Sequence, residues 1–163
     1  MSKLKIYAAS SWNNPYYKDV VQQLVLNGYD VYDFTGKMST YGNAVTFHWS
    51  QIDSEWESWT NQQFVDNLSH PNARHAFSID HDNMQQSQVC VLILPCGKSS
   101  HMEAGFMKAL GKKLLIYMPQ PQRAELTYSL ADDFCDNIPQ LLQILQIYVS
   151  QMSLQNSKVS MEE

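Results

Sequence analysis

The stretch at residues 89–105, VCVLILPCGKSSHMEAG, decides how the rest of the sequence is interpreted. Its first six residues form a continuous apolar run of strand length, rich in β-branched side chains, which is typical of a central strand buried on both faces. A turn at residues 95–98 follows, and Ser99 or Ser100 is expected to cap a helix at residues 102–110. The stretch therefore predicts one strand–loop–helix unit of a parallel sheet.

The flanking segments predict more elements of the same kind. Strands are expected at residues 3–9, 29–34 and 113–118, and helices at 16–27, 61–68, 80–87 and 138–152. Strands that alternate with helices imply a parallel sheet covered on both faces. We therefore predict a single α/β domain at residues 1–152, a doubly wound, mostly parallel three-layer sandwich of the Rossmann-like or flavodoxin-like type. A polar C-terminal tail is expected at residues 153–163.

Residues 35–60 have no clear periodicity and are rich in aromatic side chains. Irregular stretches of this length are often functional or disordered. The aromatic content favours an ordered lid or insertion that closes over a bound base, with Trp49 as a candidate contact. The alternative is that Trp49, Trp56 and Trp59 only pack the core of a long insertion.

Composition narrows the range of partners. The 163 residues include 11 basic and 16 acidic side chains, for a formal net charge of -5, without any block of Lys or Arg. Polymeric nucleic acid is argued against, because phosphate neutralisation normally requires a basic face. The three cysteines are interpreted as reduced thiols of a cytoplasmic protein, and no apolar run is long enough to span a membrane. The five histidines lack metal-ligand spacing, so neither a metal nor a cofactor is expected.

Three acidic residues are candidates for catalysis. Glu103 stands near the start of the helix after the buried strand, where the helix dipole alone would also favour a carboxylate. Asp80 and Asp82 precede the same strand, and Asp80 could instead be the N-cap of the helix expected at 80–87. Two converging carboxylates are the usual requirement of glycosyl chemistry, in which one attacks the anomeric carbon and the other handles a proton.

Ligand-binding residues are expected at the carboxyl ends of the strands, near the point where the strand order reverses. These ends lie at residues 9–11, 33–34 and 95–97. The free N–H groups at the start of the following helix are suited to a phosphate or a sugar hydroxyl, although an ordinary capped βα turn would look the same. Tyr7 and Tyr128 are possible sugar contacts, with packing as the alternative.

Taken together, these pieces resemble the nucleoside 2-deoxyribosyltransferase family, including its relatives that hydrolyse 2'-deoxynucleoside 5'-monophosphates. The matching segments, which follow one another across roughly residues 3–118, are 6–11 (IYAASS), Asp80 with Met84 and 86–88 (QSQ), 89–94 (VCVLIL) and 99–105 (SSHMEAG). Their joint order and spacing are more specific than any one segment.

The resemblance implies roles for particular residues. Glu103 would be the nucleophile that forms a covalent 2-deoxyribosyl intermediate, and Asp80 the acid that orients it or the departing base, with Asp82 as a second candidate. Serines of the first loop and of the segment before Glu103 would hold a 5'-phosphate. A homo-oligomer is also implied. The full set of expected substrate-binding residues is Tyr7, Ala9, Ser10, Ser11, Trp12, Asp33, Trp49, Gly97, Ser99, Ser100 and His101.

The function predicted from the sequence is cleavage or transfer of the N-glycosidic bond of a small (deoxy)nucleoside or nucleoside 5'-monophosphate. Three alternatives stay open at this point. One is a module that binds or senses a nucleotide without chemistry. Another is a glycosidase that acts on a dinucleotide or a signalling nucleotide. The third is an interaction protein that docks through its aromatic segment.

Overall fold

The computed structural model describes residues 3–159, the last five as backbone only, and shows a five-stranded, entirely parallel sheet. Its strands stand in the order β2-β1-β3-β4-β5, which is the flavodoxin-like order of doubly wound folds. The strands are β1 Lys5–Ala9, β2 Asp30–Asp33, β3 Val89–Ile93, β4 Lys113–Tyr117 and β5 Asp133–Cys135. The predicted fold class is confirmed.

Residues 3–159 contain five α-helices. They are α1 Tyr17–Leu26, α2 Asn61–Asn67, α3 Pro71–Gln86, α4 Lys98–Ala109 and α5 Ile138–Val159. Of these, α1, α3, α4 and α5 pack on the two faces of this sheet. Because side chains alternate along each strand, neighbouring residues enter different cores. Ile6, Val31 and Val91 pack in the core that includes α1 and α5, while Tyr7, Tyr32 and Cys90 pack in the core that includes α3 and α4.

The central strand owes its position to its sequence. All five residues of β3 are buried, and the strand pairs with β1 on one side and β4 on the other. A strand with neighbours on both sides and a helix layer on both faces has no surface for polar side chains, which explains the unbroken apolar run.

The third helix corrects the sequence analysis, which expected one helix to end at residue 68 and a short one to follow only at 80–87. His70 is instead the N-cap of α3 and its side chain accepts a hydrogen bond from the Asn72 backbone N–H, while Pro71 is the first helical residue. Proline is well suited to that position, where its missing N–H costs nothing. Asp80 therefore lies in the third turn of a 16-residue helix and is not its N-cap.

The fourth helix also begins earlier than expected. Gly97, with an extended backbone, is its N-cap and provides no side-chain cap, so Ser99 and Ser100 are helical residues and do not cap the helix. Glu103 is consequently the sixth residue of α4, in its second turn. Gly111, with φ of 76°, follows the end of the helix in the left-handed conformation that favours glycine.

Two features near the C-terminus differ from the expectation. The short strand β5 was not predicted, because three residues with a partly exposed Phe134 give no readable alternation. Helix α5 runs to Val159, beyond the expected end at residue 152, so part of the expected polar tail is helical. The rest of that tail, at 160–163, lies outside the described residues.

Residues 35–60 are ordered mainly by turns and two single-turn 3₁₀ helices, Trp49–Gln51 and Trp56–Ser58. The ring of Trp49 makes edge-to-face contacts with Phe47 and Trp59, and with Phe64 of α2. These aromatic side chains thus form a satellite cluster with α2. Among the described residues, no helix is long and apolar enough to cross a membrane.

Candidate active site

The candidate active site is built on a pair of stacked tyrosines in the middle of the sheet. Tyr7 is the third residue of β1 and Tyr32 the third of β2, and the parallel register places them side by side. Their ring centroids are 5.2 Å apart with an interplanar angle of 22°. Both side chains point to the face covered by α3 and α4, and both are almost completely buried.

Each of these tyrosine hydroxyls lies beside the carboxylate of an acidic residue from a helix. The Tyr32 hydroxyl donates to Asp80 Oδ1 of α3 at 2.6 Å. The Tyr7 hydroxyl lies near Glu103 of α4 and favours the ionised form of that carboxylate. Two residues that are 23 positions apart in the sequence are thereby brought together between two helices and above one tyrosine pair. Both acids keep part of their surface exposed, so a ligand can reach them.

Burial and mutual repulsion change the acidity of this pair. Burial, followed by the nearby charge of Asp80, raises the pKa of Glu103 to about 7, while the neighbouring Tyr7 hydroxyl acts in the opposite direction. Burial also raises the pKa of Asp80, and the hydrogen bond from Tyr32 opposes that rise. Two coupled acids in such surroundings are able to share one proton near neutral pH.

The loop between β1 and α1, at residues 10–16, is stabilised by hydrogen bonds of its own polar side chains. Ser10 Oγ donates to the Ile93 carbonyl at 2.9 Å and accepts from Asn14 Nδ2 at 2.9 Å. Asn14 Nδ2 also reaches the carbonyls of Ile93 and Pro95, and Ser100 Oγ donates to the Ser10 carbonyl at 2.8 Å. The hydroxyls of Ser10 and Ser100 therefore join the ends of β1 and β3 to α4.

The start of α4 retains donors that no side chain caps. The Gly97 N–H donates to Ser11 Oγ at 2.7 Å, but the following N–H groups of the first turn receive no side-chain cap. Ser99 is exposed in this turn. Uncapped N–H groups at the positive end of a 12-residue helix can hold an anion.

His101 is fixed in place within the same helix. Its Nδ1 donates to the Gly97 carbonyl at 2.7 Å, which leaves Nε2 of the neutral ring to accept from the Tyr128 hydroxyl at 2.9 Å. The two rings stack with an interplanar angle of 5°. Both sequence candidates, His101 and Tyr128, thus form one unit that links α4 to the 3₁₀ helix Leu126–Leu130.

Several sequence candidates are not brought to the acid pair. Asp82 is exposed on another side of α3 from Asp80, and its charged neighbour is His81 at 3.9 Å. Trp49 lies in the satellite aromatic cluster. Trp12 is 53% exposed and contacts Phe34 edge-on. Ala9, by contrast, is fully buried at the end of β1 and packs in the same core as Tyr7.

Asp33 is a buried acid whose oxygens are already occupied. They accept from the Tyr17 hydroxyl at 2.8 Å, from the backbone and side chain of Thr35, and from the Met38 N–H at 3.0 Å. This carboxylate thus fixes the turn after β2, and its expected contact with substrate stays a prediction.

Sequence reasoning missed two residues. Tyr32 can be recognised as a partner of Tyr7 only when the register between β1 and β2 is known. The alternation in YDVYDF predicts a strand but does not indicate which strand lies beside it. Asn14 looked like an ordinary loop residue, but it makes three hydrogen bonds through Nδ2, and its Oδ1 accepts from the Tyr16 N–H at 2.8 Å.

Fold and acid pair together define the class of molecule. It is a doubly wound α/β domain of flavodoxin-like strand order, without the glycine fingerprint of dinucleotide-binding Rossmann domains, and it holds two coupled carboxylates on the sheet face under α3 and α4. No protein-family model and no curated protein matches the chain by sequence.

Solved structures do resemble the fold. One is a 2-deoxyribosyltransferase from the psychrotolerant bacterium Bacillus psychrosaccharolyticus, with 16% sequence identity, coverage of 82% of this chain and 86% of that chain, and a TM-score of 0.53. Another is the CMP N-glycosidase BcmB of Clostridium botulinum, with 15% identity, coverage of 87% and 98%, and a TM-score of 0.48. The first of these structures, a 2-deoxyribosyltransferase, shares the fold of this chain, as the resemblance noted from the sequence implied.

Proposed function

We propose that this chain cleaves or transfers the N-glycosidic bond of a (deoxy)nucleoside or nucleoside 5'-monophosphate. One observation carries the proposal: two partly buried acids from different helices, Asp80 and Glu103, lie close enough to influence each other's charge beside a stacked tyrosine pair, of which Tyr32 donates to Asp80. The fold likeness to a 2-deoxyribosyltransferase supports it.

In the proposed first step, an ionised Glu103 oxygen attacks the anomeric carbon while the bond from that carbon to the base nitrogen breaks. The electron pair leaves with the base, which takes a proton from protonated Asp80. A carboxylate is a modest nucleophile, so this proton is what makes the base a tolerable leaving group. The sugar is then bound covalently to Glu103 as an ester.

In the second step, water or another base attacks the same carbon and gives its proton to Asp80, and the Glu103 carboxylate is released. Two displacements retain the configuration at the anomeric carbon. Water as the acceptor makes the protein a hydrolase, and a second base makes it a transferase. Asp82 is left out of these steps because it is exposed on another side of α3.

A 5'-phosphate, where the substrate has one, is proposed to lie at the start of α4. The uncapped N–H groups of that turn, with Ser11 and Ser99, are the available donors. Ser10 and Ser100 contribute indirectly, since their hydroxyls hold the loop in place. The segment at 35–60 remains a proposed lid, and a homo-oligomer remains a proposal that rests on resemblance.

The test is an assay of base release from deoxynucleosides, ribonucleosides and their 5'-monophosphates, with and without an acceptor base. We expect release from at least one of them, and Glu103→Gln should reduce it roughly a thousandfold or more, because an amide cannot form the ester. Glu125→Gln, at an exposed glutamate, is the matched control. Tight binding without base release would favour the sensing module, and absence of binding would favour an interaction protein.

A further inference from the structure

We infer that Tyr32 is a positioning residue: it holds Asp80 by one carboxylate oxygen and leaves the other oxygen for the substrate. This inference rests on the proposed function, in which Asp80 gives a proton to the departing base. It assigns a role to a residue on a strand that otherwise contributes no group to the reaction.

The first support is the geometry of the hydrogen bond. The Tyr32 hydroxyl donates to Asp80 Oδ1 at 2.6 Å, a short O–H···O hydrogen bond that either form of the acid can accept. In the part of the chain that the structure describes, no hydrogen bond reaches Asp80 Oδ2. One oxygen is thus held and the other is available, which is the arrangement that a directed proton donor requires.

The second support is the fixed orientation of the donor. Tyr32 has 0% of its surface exposed, and its ring lies between those of Tyr7, at 5.2 Å, and Tyr41, at 6.3 Å. The ring cannot swing toward solvent, so the direction of its O–H bond is set by the sheet. Asp80, on a solvent-facing helix, gains from this bond an orientation that the helix alone would not impose.

Tyr41 shows what a purely structural tyrosine looks like in the same core. Its hydroxyl is also partly buried and hydrogen-bonded, but its partners are Ser87 Oγ and the Ile6 carbonyl. A buried phenol needs some acceptor, and a backbone carbonyl meets that need. Tyr32 instead donates to the carboxylate that faces Glu103, which is why a role beyond packing is assigned to it.

The charges around Asp80 fix the direction of the expected effect. Tyr32 and Tyr7 face it from the sheet and Glu103 faces it from α4, while Cys90 of β3 lies near Glu103. A donor to the carboxylate stabilises its ionised form. Removing the Tyr32 hydroxyl should therefore raise the pKa of Asp80, and removing the Tyr7 hydroxyl should raise that of Glu103.

The kinetic test is a double-mutant cycle of Tyr32→Phe and Asp80→Asn, measured in single turnover on the substrate that the panel identifies. Tyr32→Phe should lower the rate roughly tenfold or more in the wild-type background. With Asn at position 80 it should change the rate less than about twofold, because Tyr32 acts only through the carboxylate. An equal loss in both backgrounds would overturn the inference. Tyr41→Phe is the control and should give the same small effect in both.

A second readout does not depend on activity. Carbon-13 NMR of the side-chain carboxyls, assigned with Asp80→Asn and Glu103→Gln, should show a higher pKa for Asp80 in Tyr32→Phe and an unchanged one in Tyr41→Phe. An unmoved Asp80 pKa in a folded Tyr32→Phe protein contradicts the inference. If that variant does not fold, 3-fluorotyrosine placed at position 32 keeps the ring and strengthens the donor, and it should lower the Asp80 pKa.

The two proposals fail in distinguishable ways. If the wild-type protein releases no base from any member of the panel, the proposed function is wrong, while the NMR titration still decides whether Tyr32 controls Asp80. If the base is released and the loss caused by Tyr32→Phe persists without the Asp80 carboxylate, only the inference about Tyr32 is wrong.

Discussion

The two faces of the sheet each hold an acid, and they treat it in opposite ways. On the side of α1, Asp33 accepts hydrogen bonds from Tyr17, Thr35 and Met38, so both of its oxygens have donors. On the side of α3 and α4, Glu103 is buried with the charge of Asp80 nearby and only Tyr7 to favour its ionised form, and its pKa is raised to about 7.

This difference shows which carboxylate stabilises the fold and which one destabilises it when ionised. A carboxylate that is well supplied with donors is a structural element, and it is inert because every oxygen is occupied. A carboxylate that lacks compensation costs stability when it ionises, and such groups cluster at functional sites. The same strands build both faces through the alternation of their side chains, so one sheet provides the stable side and the reactive side.

After Glu103→Gln, the largest loss of activity is expected from a substitution in α3. Its two aspartates differ in burial, since Asp80 is partly buried beside Glu103 and Asp82 is exposed. Asp80→Asn should lower the rate of base release roughly a hundredfold, because the departing base loses its proton donor. Asp82→Asn, two positions away on the exposed surface, should stay within about twofold. Steady-state and single-turnover rates on the same substrate would test this pair, and a reversed order would move the second acid to Asp82.

The contrast between the two faces also predicts that a substitution at Glu103 stabilises the protein at high pH, whereas one in the opposite core destabilises it. The pKa of Glu103 is about 7 in the folded protein against an ordinary value of 4.5, so its folded form binds the proton more tightly. Stability from this group is fully present below pH 4.5 and is lost as the pH rises through 7. Glu103→Gln should therefore be more stable than the wild type at pH 8, by a difference on the order of 3 kcal/mol, and this gain should vanish below about pH 4.5.

A matched change on the other face should destabilise the protein at every pH. Leu24 of α1 is completely buried in the apolar core, so Leu24→Ala should cost about 2 to 5 kcal/mol through lost contacts and a cavity. Urea denaturation of both variants at pH 4 and pH 8 measures the comparison. If Glu103→Gln and the wild type were equally stable at pH 8, the ionised Glu103 carboxylate would not cost stability, and the prediction would be wrong.

The smallest predicted effect is the pH dependence of the rate. The proposed first step needs ionised Glu103 and protonated Asp80, so kcat/KM should pass through a maximum with pH and fall on both sides of it, and one of the two limiting pKa values should be that of Glu103, about 7. Tyr7→Phe should move that pKa to a higher value, because Tyr7 favours the ionised form of Glu103. A rate that is flat between pH 5 and pH 8 would argue against Glu103 as the attacking group.

Much of this architecture was predictable because it depends on local patterns. The apolar run of β3 and the spacing of Val20, Val21 and Leu24 in α1 identify a parallel α/β sheet without knowledge of tertiary contacts. The start of α3 was missed because His70 and Pro71 are as typical of a helix break as of a helix start. This error also kept Asp82 as a second candidate beside Asp80, whereas the helical period in the structure turns the two side chains to different sides.

The candidate site was predictable only in part, since it depends on pairings between distant segments. Glu103 and Asp80 were selected by resemblance and by their position beside β3. Tyr32 could not be selected, because its partnership with Tyr7 arises from the register of β1 and β2. The roles of Ser10 and Ser100 were likewise hidden, because a hydroxyl that ties two loops together and one that binds phosphate look alike in a sequence.

The central claim is a covalent bond between the sugar and Glu103, and mass spectrometry of the quenched protein tests it most directly. A 2-fluorinated substrate analogue, whose intermediate should decay slowly, is incubated with the protein, and the peptides are sequenced. The account predicts a mass increase equal to the sugar on Glu103 and its disappearance in Glu103→Gln. Base release from the wild type with no adduct, or with the sugar on another residue, would contradict it.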